Sequence, residues 1–354
     1  TDGKVMWVRR SSFLEAASGE ERKHPAYQEA AALAVKIDTL NAAFVAGTAS
    51  DEQLREKTDL EKDLGKLMKK VDPEKYARSP VPDVGFSGFT PSTDGRFIYT
   101  WFATGVTACY DLEGNRQWIR VDRRPAVEHG FSSSPLLVDG KFVVFMRDLW
   151  AFDSRTGELA WQTPLVSHKG LNPQGFFHGS LVATTIGGVR VILLGNGTIV
   201  RASDGKVLYT NPELGNQSVA SPVVERDTLF FLPTLKMQLV MQRFPAALTD
   251  PLEPSTRELT LDLSAFPTYY LPWHLASPIV HDGLAYLVNN SGVLTVVDVE
   301  AGNVVYQKLL DLDTCQAHNE GAARGIGISP ALAGECLYFF GNNGSALVIE
   351  PGPV

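Results

Sequence analysis

The 354 residues are more than one ordinary compact core holds, so either two domains or a repetitive architecture is expected. A 44% hydrophobic and 20% charged composition excludes disorder and collagen-like repeats, and 31 Gly with 21 Pro favours many turns between short strands. The formal charge of −8 leaves no basic face for nucleic acid, no apolar run approaches the roughly 18 residues of a transmembrane segment, and any signal peptide is expected to be already removed or never present.

In chain order, residues 1–12 hold Asp2-Gly3-Lys4-Val5-Met6-Trp7, nearly copied by Asp204-Gly205-Lys206-Val207-Leu208-Tyr209. Residues 13–80 then read as helical. Tyr27, Ala30, Ala31, Ala34, Ile37, Leu40 and Phe44 fall at helical spacing, Pro25 suits a first turn, and Gly47 suits an end. A second helix is predicted over residues 51–71, with Leu54, Leu64, Leu67 and Met68 inward and charges of both signs outward. Joined by residues 47–50, the two form an inserted helical hairpin. It is either a solvated arm packed on its neighbour, or a partner-docking surface or lid.

From residue 81 onward one pattern recurs. It opens at Thr90, Ser134, Ser180, Ser221, Ser277 and Ser329, with spacings of 44, 46, 41, 56 and 52 residues. It closes with an aromatic residue four positions after a glycine: Gly114 to Trp118, Gly157 to Trp161, Gly205 to Tyr209 and Gly302 to Tyr306. Each unit reads as four strands with Asp-Gly-like turns, the pattern of a propeller blade. A β-sandwich gives no reason to repeat one turn chemistry, and a solenoid coil is shorter. The units span about 86–122, 131–166, 178–211, 218–263, 275–312 and 326–354. The unit opening at Ser221 lacks the aromatic close and carries an insertion over 245–254. The last stops before a fourth strand, and Gly3 to Trp7 repeats the missing step. The expected fold is therefore all-β: a six-bladed β-propeller of four-stranded blades, closed by N-terminal strand exchange, with an inserted α-helical hairpin.

The stretch Ala151-Phe152-Asp153-Ser154-Arg155-Thr156-Gly157-Glu158-Leu159-Ala160-Trp161 resembles the tryptophan-docking repeat of the PQQ-like (quinoprotein-type, BamB-like) β-propeller family, and residues 109–118 and 297–306 are weaker copies. The resemblance covers residues 1–12 and about 86–354. It implies that Trp7, Trp118, Trp161, Tyr209 and Tyr306 are core residues packed between blades. It also implies one of two functions. Quinoprotein dehydrogenases hold pyrroloquinoline quinone (PQQ) and calcium on the axis, whereas BamB-like members are non-enzymatic binding platforms. The enzymes usually have eight blades, and many use adjacent cysteines. Cys109, Cys315 and Cys336 are isolated, leaving open one disulfide with a free thiol or three thiols. The family also implies a periplasmic or extracellular setting.

Loops entering the inner strands carry four of the seven histidines, His129, His178, His274 and His318, a candidate divalent-metal set. With Glu128, Trp273, Asn319, Glu320 and Arg324 they form a candidate funnel for an anionic or sugar-like ligand. The alternative is that each imidazole bonds a loop carbonyl and caps the funnel. The leading expectation is a non-enzymatic binding or scaffold protein with a protein partner or small ligand at the propeller face. The rival is a quinone- or metal-dependent oxidoreductase or lyase at the histidine-rich funnel.

Overall fold

The computed structural model of the protein describes residues 4–76, 88–102, 104–122, 133–146, 148–165, 178–211, 219–233, 236–266, 273–315 and 325–353. They fall into two compact units, Thr1–Phe131 with Phe152–Leu159, and Ser132–Ala151 with Ala160–Val354.

In the first unit, helix α1 (Gly19–Lys23) starts on a capping box in which Ser18 and Glu21 satisfy each other's backbone N–H. Helix α2 (Pro25–Val45) starts on Pro25, whose fixed φ and missing N–H suit a first turn. Helix α3 (Asp51–Val71) has a second capping box, Ser50 with Gln53, acidic residues in its first turn and Lys69 and Lys70 in its last. Ala30, Ala34 and Ile37 of α2 meet Leu64 and Met68 of α3, and the same cluster contains Val106 and Val121 of the first sheet. The hairpin is thus rooted in a sheet rather than standing free. Its outer part differs from the periodicity reading: Phe44, counted on the apolar stripe, is 58% exposed, and Leu54 is only half-buried. Neither Phe44 nor Leu54 belongs to the cluster that joins the helices to the sheet.

The first sheet runs Ser92–Thr93, Phe97–Trp101, Val106–Asp111 and Arg116–Val121 in chain order. Five more sheets follow among the described residues, also in chain order. The second is Leu136–Val138, Lys141–Met146, Asp148–Asp153 and Leu159–Thr163. The third is Val182–Ile186, Val189–Leu193, Ile199–Arg201 and Val207–Tyr209. The fourth is Val223–Glu225, Thr228–Phe231, Gln238–Arg243 and Ser255–Thr260. The fifth is Ile279–His281, Leu284–Val288, Val293–Asp298 and Asn303–Leu309. The sixth is Ala331–Ala333, Cys336–Phe340 and Ala346–Ile349. Asp139-Gly140 and Asp282-Gly283 both take positive φ at both positions, as two-residue hairpins require.

In the second unit the middle strands of the fourth and fifth sheets are buried on both faces, so they read as near-continuous apolar runs, whereas Cys336–Phe340 of the sixth alternates. Phe231 of the fourth sheet packs with Val191 and Leu193 of the third, while its neighbour Phe230 packs with Ala285 and Leu287 of the fifth. Tyr286 and Val288 in turn join Leu337 and Phe339 of the sixth. The repeated opening serines link these sheets at one edge. The Ser134 N–H donates to the Ser180 hydroxyl at 3.1 Å, Ser180 to Ser221 at 2.8 Å, Ser221 to Ser277 at 2.9 Å, and Ser277 to Ser329 at 2.9 Å.

Among the described residues no N-terminal strand joins the sixth sheet. The sixth sheet has three strands among the described residues, and residues 4–12 carry no strand. What fixes this segment is a side chain. The Trp7 indole N–H donates to the Leu112 carbonyl at 2.8 Å, and Arg9 Nε donates to the Gly114 carbonyl at 2.7 Å. The ring and guanidinium occupy the first sheet's turn, which leaves Val5, Met6 and Val8 in solvent.

Candidate binding site

Each turn glycine of the repeat meets one large side chain. Gly157 has φ +72, and a Cβ there would lie 2.7 Å from Trp118 Cδ2. The Trp118 indole donates to the Ser154 carbonyl at 2.9 Å. Trp161 covers Gly205 in the same way and donates to the Ala202 carbonyl at 3.1 Å. The residue two positions after the aromatic adds a second bond to the glycine carbonyl: Arg9 to Gly114, Arg120 to Gly157, and Thr163 Oγ1 to Gly205 at 2.6 Å. In the fourth sheet, which lacks the aromatic, Arg257 lies against Gly302 and donates to the Ala301 and Gly302 carbonyls. Trp118 and Trp161 are buried, whereas Trp7, Tyr209 and Tyr306 are half-buried.

Of the funnel candidates, Glu128, His129, His318, Asn319, Glu320 and Arg324 lie outside the described residues. His178 is half-buried. Trp273 is half-buried too, and its carbonyl accepts the Asn290 N–H at 2.9 Å. His274 is buried at 1% exposure. Its Nδ1 faces the Val288 carbonyl at 3.4 Å, and its Nε2 has no partner among the described residues. Burial lowers its pKa to about 4, with the Val288 carbonyl pulling the other way. His274 is therefore neutral at pH 7, with Nδ1 facing the carbonyl of a strand end.

Its linkage has a definite sign. Between about pH 6.5 and 4 the unfolded chain binds a proton at His274 that the folded chain refuses, so acid favours unfolding across that window. Urea melts of the protein and of His274→Gln are expected to show the wild type losing stability more steeply on acidification through this range. The difference is at most about 1.4 kcal/mol per pH unit. Parallel curves would place the imidazole in solvent.

Among the described residues, no three of His, Cys, Asp and Glu gather as a metal site requires. The three cysteines are free thiols, with Cys109 and Cys315 buried and Cys336 half-buried. Burial pushes the Cys109 thiol up to about 12, so it is inert. Thiols and a buried imidazole are not the oxygen donors that calcium takes, so among the described residues Cys109, Cys315, Cys336 and His274 do not fit it. No helix among the described residues is long and apolar enough to cross a membrane.

A family model described as outer membrane protein assembly factor BamB (PQQ_2) matches residues 1–241. The chain belongs to this family. The solved structure of BamB from Moraxella catarrhalis is similar, with 16% identity and a TM-score of 0.51, over 77% of this chain and 72% of that one. A computationally designed protein, Ika8, aligns at 11% identity and a TM-score of 0.47, over 74% and 70% of the two chains. A europium-containing methanol dehydrogenase aligns at 11% identity and a TM-score of 0.35, over 73% and 72%. No curated protein matches. Membership of the BamB family together with the run of antiparallel sheets makes the fold a PQQ-like β-propeller.

Sequence reasoning found the turn glycines and their aromatics. It missed the bonds from the residue two positions later, although Arg9, Arg120 and Thr163 stand at that offset in plain view. It also missed the serine chain, whose members it had used only as markers.

Proposed function

We propose that this protein is a non-enzymatic scaffold of the cell envelope that serves outer-membrane protein assembly, holding protein partners on the hairpin tip and on the propeller face that carries His178 and Trp273. The six sheets are its blades, and Trp7 docks on the turn of the first of them. One observation carries this reading. Helices α2 and α3 are each 21 residues long, about 30 Å, yet between Ile37 and Leu64 no described residue is buried. A hairpin needed only to cover the first sheet would end near Ile37. The additional length holds Phe44 in solvent on a base made rigid by packing. Exposed aromatic side chains on rigid supports are the usual anchors of protein interfaces.

The test is genetic. In cells lacking the gene, outer-membrane proteins are expected to fall, and the full chain is expected to restore them. A variant with residues 40–58 replaced by a short Gly-Ser turn keeps the buried base and is expected to accumulate normally without restoring them. Full restoration by the shortened variant would remove the tip from the interface. Unchanged outer-membrane proteins in the deletion would remove the assembly role.

A further inference from the structure

Where residues 9–15 run past the first sheet's last turn, they enclose a cleft of about 360 Å³ with residues 110–116. Three guanidiniums line it, from Arg9, Arg10 and Arg116, beside the Tyr110 hydroxyl and Asn115. Glu15 is the one carboxylate in the lining, so the walls carry a charge of +2 within a chain whose formal charge is −8.

The three arginines are held from behind. Arg9 donates through Nε to the Gly114 carbonyl at 2.7 Å and through Nη1 to the Val8 carbonyl at 3.0 Å, and it lies 5.9 Å from the Trp7 ring centroid. Arg116 Nη1 pairs with Glu15 Oε1 at 2.9 Å, and Arg10 Nη1 pairs with the Asp38 carboxylate. Arg9 pairs with no carboxylate among the described residues; both bonds it makes go to neutral carbonyls. A guanidinium has five N–H donors in a planar fork, so each of the three retains donors beyond those that anchor it. Fixing the fork in advance removes much of the ordering cost of binding, and forks of this kind match the paired oxygens of carboxylate and phosphate groups.

We infer that this cleft is a binding site for an oxyanion, a carboxylate or phosphate group of a ligand small enough for its volume, with Arg9 as the principal contact and Arg116 and Arg10 as its flanks. It depends neither on the hairpin tip nor on the scaffold role. Because the groups are partly exposed, its affinity falls with salt.

Inorganic phosphate and citrate are the probes, titrated into the full chain by calorimetry at low ionic strength. Saturable binding of at least one is expected. Phosphate saturating first assigns the site to phosphate groups, and citrate alone assigns it to carboxylates. Arg9→Ala is expected to weaken binding by about tenfold or more, with Arg9→Lys, which keeps the charge and loses the fork, falling between. A second readout needs no variant: phenylglyoxal modification of Arg9, followed by peptide mass, is expected to slow severalfold when the bound probe is present. Binding unchanged in a folded Arg9→Ala protein would overturn the assignment. So would the lack of saturation by either probe up to concentrations on the order of 10 mM, or equal modification of Arg9 with and without them.

Discussion

Replacing Trp118 by Ala is expected to lower stability by roughly 3–5 kcal/mol, among the largest single effects in the chain. The ring is 9% exposed, lies 6.3 Å from Tyr99 centroid to centroid, and donates to the Ser154 carbonyl. Its removal opens a cavity and leaves that carbonyl without its donor. Gly157→Ala attacks the same contact from the other side. The φ of +72 alone costs an alanine about 1–2 kcal/mol. The new Cβ would also lie 2.7 to 3.0 Å from three Trp118 ring atoms, so the ring must move and its hydrogen bond must stretch. The two substitutions are therefore strongly coupled. In a Trp118→Ala background, Gly157→Ala is expected to cost only the backbone strain, because the ring it would strike is gone. Urea unfolding of the four proteins of this double-mutant cycle measures the coupling. Additive losses would show that the ring and the glycine do not press on each other.

The residues of that contact were legible in the sequence because their pattern repeats. Gly114, Gly157, Gly205 and Gly302 stand four residues before an aromatic, a local offset, although each indole ring meets the glycine of the following unit rather than its own. Helix α2 was legible for a related reason: Pro25, the apolar spacing and Gly47 are all local signals. Contacts between distant segments left no such trace. Nothing in the degenerate fourth unit marks Arg257 as the group lying on Gly302, since the choice depends on which sheet follows it in space. The arginine cleft joins residues about a hundred positions apart, and its lone Arg9 can be recognised only once Glu15 and Asp38 are seen to be taken by Arg116 and Arg10. The copied hexapeptide marks an aromatic contact: Trp7 docks on the turn at Gly114 as Trp118 docks on Gly157. The burial of His274 against Val288 is a property of the packed fifth sheet, which no local signal carries.

Glu21 offers the sharpest electrostatic test. Its carboxylate joins the start of α1 to the chain beyond α3. It accepts Lys75 Nζ at 2.9 Å on both oxygens, the Tyr76 hydroxyl at 3.0 Å and the Ser18 N–H at 2.6 Å. Burial by itself would raise its pKa. The bonds from Lys75, Ser18 and Tyr76 outweigh that and hold it at about 2. The side chain is 14% exposed, so solvent screens this little. The same pairing and its own burial push the Tyr76 phenol well above its ordinary value. A depressed carboxyl pKa stabilises the fold above the unfolded value near 4.5 and ceases to do so as pH falls toward 2. The contribution at pH 7 is on the order of 3 kcal/mol. Glu21→Gln is expected to remove about that much at neutral pH, because the amide keeps an acceptor for Tyr76 but leaves Lys75 half-buried without its counter-ion. The gap between wild type and variant is then expected to narrow steadily from pH 4.5 downward and to close near pH 2, in urea melts read by circular dichroism. A loss of the same size at pH 7 and pH 2 would assign the effect to packing rather than charge. The hairpin's root would then owe its stability to Leu64, Met68 and their neighbours alone.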